Sequence, residues 1–258
     1  MCAGHGAGAE AAIHAVREVF TEEEETDGIL LIDASNAFNL MNRFAALHNI
    51  QITVKEISLY LINTYRNPSR LFTQGGGEIL SQKGTTQGDP LAMPWYWVNT
   101  SILINSLRMS SPTVKQAWFA DDYAGGGRIK ALHDWYEHLC KEGGKYGCHV
   151  NGSKSWLIVK SQEPASEAEL VFRGEVNIST EGKCHLGSVI GSKNYKDQYC
   201  NENNSKRKEE LIHLNSRKSR KATHIPPTLL IQRDRSRNLH IAREQLSLFK
   251  IIQIQSKK

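Results

Sequence analysis

The sequence predicts an α+β fold with a ferredoxin-like, split βαβ arrangement, in which strand, helix, hairpin, helix and strand build one sheet. Three observations predict this fold. The all-apolar segment Ile29 to Ile32 is typical of a central strand that is covered on both faces. A second strand, at 115–119, turns back through Ala120-Asp121-Asp122. An amphipathic helical pattern at 129–146 and a further strand at 155–159 complete the arrangement.

Other elements follow from apolar spacing and turn residues. Helices are predicted at 9–24, 36–49 and 54–65. A hairpin is predicted at 70–82 because two strand-like segments flank Gly75-Gly76-Gly77, and glycine supplies the positive φ of a tight turn. A phosphate cradle is the alternative explanation for this triplet.

The segment from about residue 89 to 190 is predicted to contain one long helix and several short strands. Asp89 and Pro90 are suited to be the N-cap and first residue of a helix that runs to about Met109. The strand that returns after Asp122 is expected to end where Gly125-Gly126-Gly127 begins. Weaker strands are predicted near Val171–Phe172 and His185–Ile190.

Positive charge is concentrated at the carboxyl-terminal end of the chain. Residues 201–258 contain 14 Lys and Arg against 5 Asp and Glu, whereas residues 1–200 contain 18 against 22. Apolar periodicity also fades there, so 193–258 is predicted to be a basic, poorly structured tail. Basic tails often contact nucleic-acid phosphates, but a solvated segment explains the same charge run.

Composition argues against several classes of protein. No apolar run reaches the roughly 18 residues that a membrane-spanning helix needs, and the Gly/Ala-rich segment Met1 to Ala12 lacks the pattern of a signal peptide. An intracellular protein, nuclear or cytoplasmic, is therefore expected. The five cysteines are odd in number and are not spaced as zinc ligands, which predicts free and mostly buried thiols.

Three aspartates are the candidate chemical groups. Asp33 ends a buried strand, where a carboxylate is costly unless it is paired or binds a cation; the alternative is a helix cap made by Asp33 or Ser35. Asp121 and Asp122 form an adjacent pair at a hairpin tip, where like charges repel. An exposed acidic turn is the ordinary explanation, but the aromatic residues around the pair favour a held position.

Carboxylates on neighbouring strands provide the ligands for a two-metal site. Two divalent ions about 3.5–4 Å apart stabilise the attacking and leaving oxygens of phosphoryl transfer. Mg²⁺ prefers hard oxygen ligands and keeps substrate phosphates in its coordination shell. Because this region offers oxygen ligands and no Cys/His cluster, Mg²⁺ fits better than Zn²⁺.

The motifs resemble those of the reverse transcriptases of eukaryotic retroelements, such as the LINE-like and tyrosine-recombinase-bearing groups. All five palm motifs occur in the family order over about residues 28–190. They are Leu31 to Phe38, Thr86 to Leu91, Phe119 to Asp122, Gly147 to Lys154, and Leu186-Gly187.

The resemblance implies a palm domain at 28–192 with RNA-directed DNA polymerase activity, which adds dNTPs to a primer 3′-hydroxyl. Asp33 and Asp121 would bind two Mg²⁺ ions, for which Mn²⁺ can substitute, with Asp122 assisting. Lys154 would neutralise or protonate the leaving pyrophosphate; a solvated surface lysine is the alternative.

The resemblance also assigns residues to the substrates. Phe38 would be a steric gate that leaves no room for a 2′-hydroxyl, with a plain core aromatic as the alternative. Gln87 and Gly88 would lie beside the template base and the incoming nucleotide, although Gly88 also suits a simple helix start. Ala34 would contact the substrate as well. The primer terminus would lie near Leu186 and Gly187.

The same resemblance implies an incomplete polymerase. Residues 1–27 would be an N-terminal helix left from the fingers, the hairpin at 70–82 would belong to the fingers side, and the thumb would be absent or degenerate. The implied partners are an RNA or DNA template with its primer, dNTPs and other domains of a parent retroelement polyprotein, with no membrane.

Two other functions remain open. One is a catalytically inactive retroelement remnant that at most binds nucleic acid. The other is an RNA-dependent RNA polymerase palm, against which Phe38 counts because ribonucleotides need space at that position.

Overall fold

A computed structural model describes residues 7–22, 24–86 and 88–203. Seven helices and nine strands are assigned within this part of the chain, and residues 193–203 are also helical. The helices are α1 (Gly8–Glu22), α2 (Ala37–Leu40), α3 (Arg43–Thr53), α4 (Lys55–Tyr65), α5 (Ala92–Ser110), α6 (Ile129–Tyr146) and α7 (Gln162–Phe172). The strands are β1 (Gly28–Asp33), β2 (Ser69–Phe72), β3 (Glu78–Ser81), β4 (Lys115–Phe119), β5 (Asp122–Gly127), β6 (Trp156–Val159), β7 (Asn177–Ser179), β8 (Gly182–His185) and β9 (Ser188–Gly191).

The central sheet has the strand order β4-β5-β1-β6-β7. Strand β1 pairs antiparallel with both β5 and β6, and β4 pairs antiparallel with β5. These four strands, with α5 before the β4–β5 hairpin and α6 after it, form the predicted split βαβ arrangement. Strand β7 extends the sheet in parallel beside β6. The α+β, ferredoxin-like fold class predicted from the sequence is confirmed.

Alternation along β1 explains why the sheet is covered on both faces. Leu30 and Ile32 belong to the larger core, which includes residues of α5, α6 and α7. Ile29 and Leu31 belong to a second, smaller core with Val16 of α1. Successive side chains of a strand point to opposite faces, so an apolar run without polar interruption is needed here.

The glycine triplet lies within β5, and the prediction that the strand ends before it was wrong. Gly125 and Gly126 pair with β1 on one side and with β4 on the other. A Cβ at Gly126 would lie 2.5 Å from Val19 Cγ1, and a Cβ at Gly125 would lie 3.1 Å from Trp135. The glycines therefore let α1 and α6 approach the two faces of the sheet closely, which a local turn signal does not reveal.

Two other predictions, for Val171–Phe172 and for residues 193–203, differ from the structure. Val171 and Phe172 form the last turn of α7 rather than a strand, because Ala165, Ala168 and Phe172 are buried along one helical face. The strand in this region is instead β7. Residues 193–203, assigned to the poorly structured tail, are helical, and residues 204–258 lie outside the described residues.

Helix boundaries differ from prediction at two capping sites. The helix predicted at 36–49 is divided into α2 and α3, because the Asn42 side chain accepts hydrogen bonds from Phe44 and Ala45 and starts a new helix. Helix α5 begins at Ala92 rather than after Asp89. Asp89 still accepts a hydrogen bond from the Leu91 amide, at 2.8 Å, in the turn that leads into the helix.

The hairpin between β2 and β3 confirms a further prediction. The single strand predicted near His185–Ile190 was wrong, because this segment contains the turn that joins β8 to β9. The thiols are free at all four cysteines in the described part, but only Cys148 is buried, so the expectation of mostly buried thiols was wrong. Among the described residues, no helix combines the length and hydropathy needed to cross a membrane.

We predict that Gly147→Ala destabilises the fold much more than Gly174→Ala. Both glycines have a positive φ, at 82° and 85°, so each alanine carries the same left-handed strain of about 1–2 kcal/mol. Only at Gly147 would the new Cβ meet the backbone, 2.1 Å from the Leu40 carbonyl oxygen. Urea unfolding of the two variants measures the difference. Equal losses of stability would show that this close contact is unimportant.

Candidate active site

Strand pairing places two of the predicted aspartates directly opposite each other. Asp33, the last residue of β1, pairs in register with Asp122, the first residue of β5. Both side chains are half-buried. The Asp33 backbone is held by two hydrogen bonds: its amide donates to Ser155 Oγ at 3.2 Å, and its carbonyl accepts from the Asn151 amide at 2.9 Å.

Asp121 lies in the tight turn that joins β4 to β5. Phe119 and Asp122 pair across this hairpin, so only Ala120 and Asp121 form its tip. Ala120 has a φ of 51°, which is uncommon for a residue other than glycine. Backbone strain of this kind often marks functional turns, and here it points to a tip that is held in position rather than relaxed.

The electrostatics of Asp122 report the proximity of the other two acids. Burial raises the pKa of Asp122 to about 6, and the charges of Asp121 and Asp33 add to this increase. Like charges disfavour the ionised form of a carboxyl group. The three acids therefore share one electrostatic environment, in which a cation would relieve the repulsion.

A cavity of about 190 Å³ opens beside Asp33 and Asp122. Lys154, predicted as a catalytic residue, lies at this cavity in a short 3₁₀ turn, Gly152–Lys154. Residues of β8 also line the cavity. The cavity-lining residues that the sequence analysis did not identify include Trp156, Lys183, Cys184 and His185.

The side chains from β8 add an ammonium group and a neutral imidazole to the cavity. The Lys183 ammonium nitrogen lies 3.9 Å from the centroid of the Trp156 ring, which is a cation–π contact. Burial lowers the pKa of His185 to about 4, so its imidazole is neutral at pH 7. The cavity thus contains carboxylates and ammonium groups, an arrangement that can bind phosphates together with a cation.

The three carboxylates are the kind of ligand that hard divalent cations prefer, but the three side chains are not tightly clustered in the structure. In the described part of the chain, His133, Asp134 and Glu137 of α6 have ligand atoms within 4.8 Å of one another. Asp33, Asp121 and Asp122 do not form so close a group. The oxygen-only character of the three carboxylates suits Mg²⁺.

The predicted gate residue Phe38 lies on α2 and is half-buried. Its ring stacks on Tyr96 of α5, with centroids 4.5 Å apart. The Phe38 carbonyl accepts a hydrogen bond from the Thr85 amide at 2.9 Å, so the first predicted motif is bonded to the residue that directly precedes the second. Ala34 is buried, and it forms an isolated bridge with Val150.

The second motif forms a loop before α5. Gly88 is exposed, with a φ of 90° and open space around the position of a Cβ. Gln87 lies outside the described residues. The Tyr65 hydroxyl donates to Asp89 Oδ2 and accepts from the Thr86 amide, which fixes the loop to α4.

The fifth motif forms the tip of the β8–β9 hairpin. His185 and Ser188 pair across it, and the two residues between them, Leu186 and Gly187, both have positive φ values, 49° and 75°. This is the pattern of a type I′ turn. The tip directly follows the strand residues that line the cavity, so the fifth motif lies next to the candidate site.

No protein-family model matches the sequence, and no curated protein matches it. Solved structures of telomerase are among those that are similar to this chain. The apo telomerase of Candida tropicalis, truncated from its C-terminal domain, is 14% identical with a TM-score of 0.51, over 71% of this chain and 38% of that chain. A Candida tropicalis telomerase in complex with a TWJ fragment of telomeric RNA is 13% identical with a TM-score of 0.44, over 58% and 29%.

The first similarity shows that the chain has the fold of reverse-transcriptase-like polymerases. The particular similarity is to telomerase, a polymerase related to reverse transcriptases. The chain spans less than half the length of that telomerase chain. At this level of identity the likeness establishes the fold, and the chemistry has to be argued from the site itself.

We predict that Asp122→Asn stabilises the fold above pH 6 in the absence of divalent ions. The folded-state pKa, about 6, exceeds the ordinary value of 3.8, so the stability contributed by Asp122 is present below pH 4 and is lost as the pH rises through 6. With allowance for solvent screening of a half-buried group, the gain at pH 8 is about 1 kcal/mol.

Urea unfolding at pH 4, 6 and 8 measures this effect. Asp134→Asn, at an exposed aspartate of α6, is the matched control and should show no such pH dependence. A constant difference between wild type and Asp122→Asn at all three pH values would contradict the prediction.

Proposed function

We propose that the chain is the palm of an RNA-directed DNA polymerase, which adds dNTPs to a primer 3′-hydroxyl under the direction of a template. The observation that carries the proposal is the register of Asp33 against Asp122, with Asp121 in the adjoining turn, beside a cavity that also contains Lys154 and Lys183. The order of the five motifs supports a retroelement origin of the LINE-like or tyrosine-recombinase-bearing type.

The three aspartates would hold two Mg²⁺ ions, or Mn²⁺ in their place, and the ions would stabilise negative charge on the reacting phosphate oxygens. In the reaction, the primer 3′-hydroxyl gives up its proton to water, its oxygen attacks the α-phosphorus of a dNTP, the bond from that phosphorus to the bridging oxygen breaks, and pyrophosphate leaves. Lys154 neutralises or protonates the pyrophosphate. Positioning and electrostatic stabilisation provide most of the catalysis.

Other residues position the substrates. Phe38 closes the space that a ribonucleotide 2′-hydroxyl needs, and Ala34, Gln87 and Gly88 adjoin the nucleotide and the template base. Leu186 and Gly187 lie near the primer terminus. Lys183, which lies on the same hairpin, contacts phosphates of the primer–template. A parent polyprotein would supply further contacts to the primer–template.

We predict that Asp33→Asn, Asp121→Asn and Asp122→Asn each lower Mg²⁺-dependent primer extension by at least about 100-fold, because each removes charge that the metal ions and the transition state require. The assay uses a DNA primer on an RNA template with dNTPs. Asp134→Asn is the control and should retain wild-type activity. Chelation should abolish extension, and added Mn²⁺ should restore it.

The outcomes separate the candidate functions. Equal extension by wild type and all three aspartate variants would reject the proposal. Salt-sensitive binding of the primer–template without incorporation would identify an inactive remnant. A preference for NTPs over dNTPs would identify an RNA-dependent RNA polymerase.

We predict that Lys183→Gln weakens primer–template binding. The loss of one phosphate contact should lower the slope of log Kd against log salt concentration by about one. Fluorescence anisotropy over a range of salt concentrations measures this slope. Lys130→Gln, at an exposed lysine near the start of α6, is the control. It has the same net charge as Lys183→Gln and should leave the slope unchanged. An unchanged slope in Lys183→Gln would remove Lys183 from the interface.

A further inference from the structure

The gate residue Phe38 stands on an element that is too short to hold itself in place. Helix α2 has only four residues, and its N-cap, Asn36, has a left-handed φ of 47° without a side-chain capping bond. Isolated helices of this length are not stable. The position of the Phe38 ring must therefore be set by its tertiary contacts.

The ring contact of Phe38 is made by a residue that is itself tightly held. Tyr96 stacks on Phe38 at 4.5 Å with an interplanar angle of 30°. Its side chain is buried, and its hydroxyl oxygen lies 2.5 Å from the hydroxyl oxygen of Tyr123. Burial raises the pKa of both tyrosines above its ordinary value, so both hydroxyls stay protonated and either can donate.

Tyr123 connects this pair to the acidic site. It follows Asp122 directly on β5 and pairs in register with Ile32, the neighbour of Asp33. Cys148 donates to the Tyr123 hydroxyl at 3.3 Å, and the Trp118 ring lies 4.1 Å from the Tyr123 ring. These contacts hold the Tyr123 side chain in one position. The chain of contacts runs from the Phe38 ring through two hydroxyl groups to the strand that carries Asp122.

A buried tyrosine is less favourable than phenylalanine at a core position where only packing is required. A hydroxyl that is removed from water without a partner costs about 1–3 kcal/mol, whereas phenylalanine has the same ring without this risk. The pair of hydroxyls adds directionality, because a hydrogen bond fixes the distance and angle between α5 and β5. Tyr96 therefore fixes α5 relative to β5 as well as filling space in the core.

We propose that Tyr96 is a positioning residue that sets how strictly the site selects deoxyribonucleotides over ribonucleotides, by holding Phe38 at a fixed distance from the Asp122 strand. This inference rests on the polymerase function proposed above. A steric gate that excludes one hydroxyl group depends on the position of its ring to within about 1 Å. Displacements of that size in an active site can strongly lower the reaction rate. Loosening Tyr96 should relax the selection of the sugar more than it slows the addition of dNTPs.

The test compares dGTP with GTP incorporation by full-length wild type, Phe38→Ala, Tyr96→Phe, Tyr96→Leu and the double variant Tyr96→Leu with Phe38→Ala. Tyr96→Leu should lower the ratio of kcat/KM for dGTP to that for GTP roughly tenfold, chiefly through a lower KM for GTP. Tyr96→Phe, which keeps the ring and loses the hydrogen bond, should lower the ratio by a smaller factor. Tyr136→Phe removes a buried tyrosine hydroxyl from α6 and should leave the ratio unchanged.

The double variant separates positioning from general destabilisation. If Tyr96 acts through Phe38, Tyr96→Leu has no further effect on the ratio once Phe38 is alanine, because residues that act as a unit are not additive. Equal slowing of dGTP and GTP incorporation by Tyr96→Leu would overturn the inference. So would an additive effect in the double variant.

A second measurement tests the positioning without catalysis. Phe38 labelled with fluorine allows its ring motion to be followed by ¹⁹F NMR in wild type, Tyr96→Phe and Tyr136→Phe. Faster ring motion in Tyr96→Phe alone supports the inference, and unchanged motion overturns it. Faster motion combined with no nucleotide incorporation by wild type would reject the proposed function and leave the coupling of Tyr96 to Phe38 standing.

Discussion

The antiparallel pairing of β1 with β5 is the constraint on which the site depends, because it brings Asp33 opposite Asp122. Like charges at paired positions are destabilising, and burial adds the cost of keeping a carboxylate ionised. Four apolar residues precede Asp33 on the same strand, and all of them are buried. Each such residue contributes about 1.5–3 kcal/mol, so their burial outweighs the repulsion of one half-buried pair.

The position of the acids at the end of the sheet follows from how its two faces are covered. Helix α1 covers one face, and α5, α6 and α7 cover the other, with close approach permitted by Gly125 and Gly126. A carboxylate in the middle of β1 or β5 would lie beneath one of these layers without solvent. At Asp33 and Asp122 the cover ends and a cavity begins. The same packing that stabilises the sheet therefore restricts polar groups to the end of the sheet where Asp33 and Asp122 lie.

The central sheet and the place of each acid at the end of a strand were predictable because they depend on local patterns. An apolar run that ends in an acid, and an acidic pair at a hairpin tip, are readable from neighbouring residues. The contribution of β8 was not predictable, because Lys183 and His185 reach the cavity only through tertiary packing. The same is true of Tyr96, whose contacts with Phe38 and Tyr123 join three separate segments. Gly125 and Gly126 were misread because close helix packing and a turn favour the same residue.

The mixed charge of the cavity bears on which ligand is complementary to it. A site that holds only a structural divalent ion gains nothing from ammonium groups in its wall, since Lys154 and Lys183 would repel a lone cation. A ligand that carries phosphates together with its cation is complementary to both kinds of group, because carboxylates bind cations and lysines bind phosphate oxygens. The neutral imidazole of His185 adds no further positive charge at pH 7. This balance supports the proposed function over metal storage, and it does so independently of the resemblance to any polymerase.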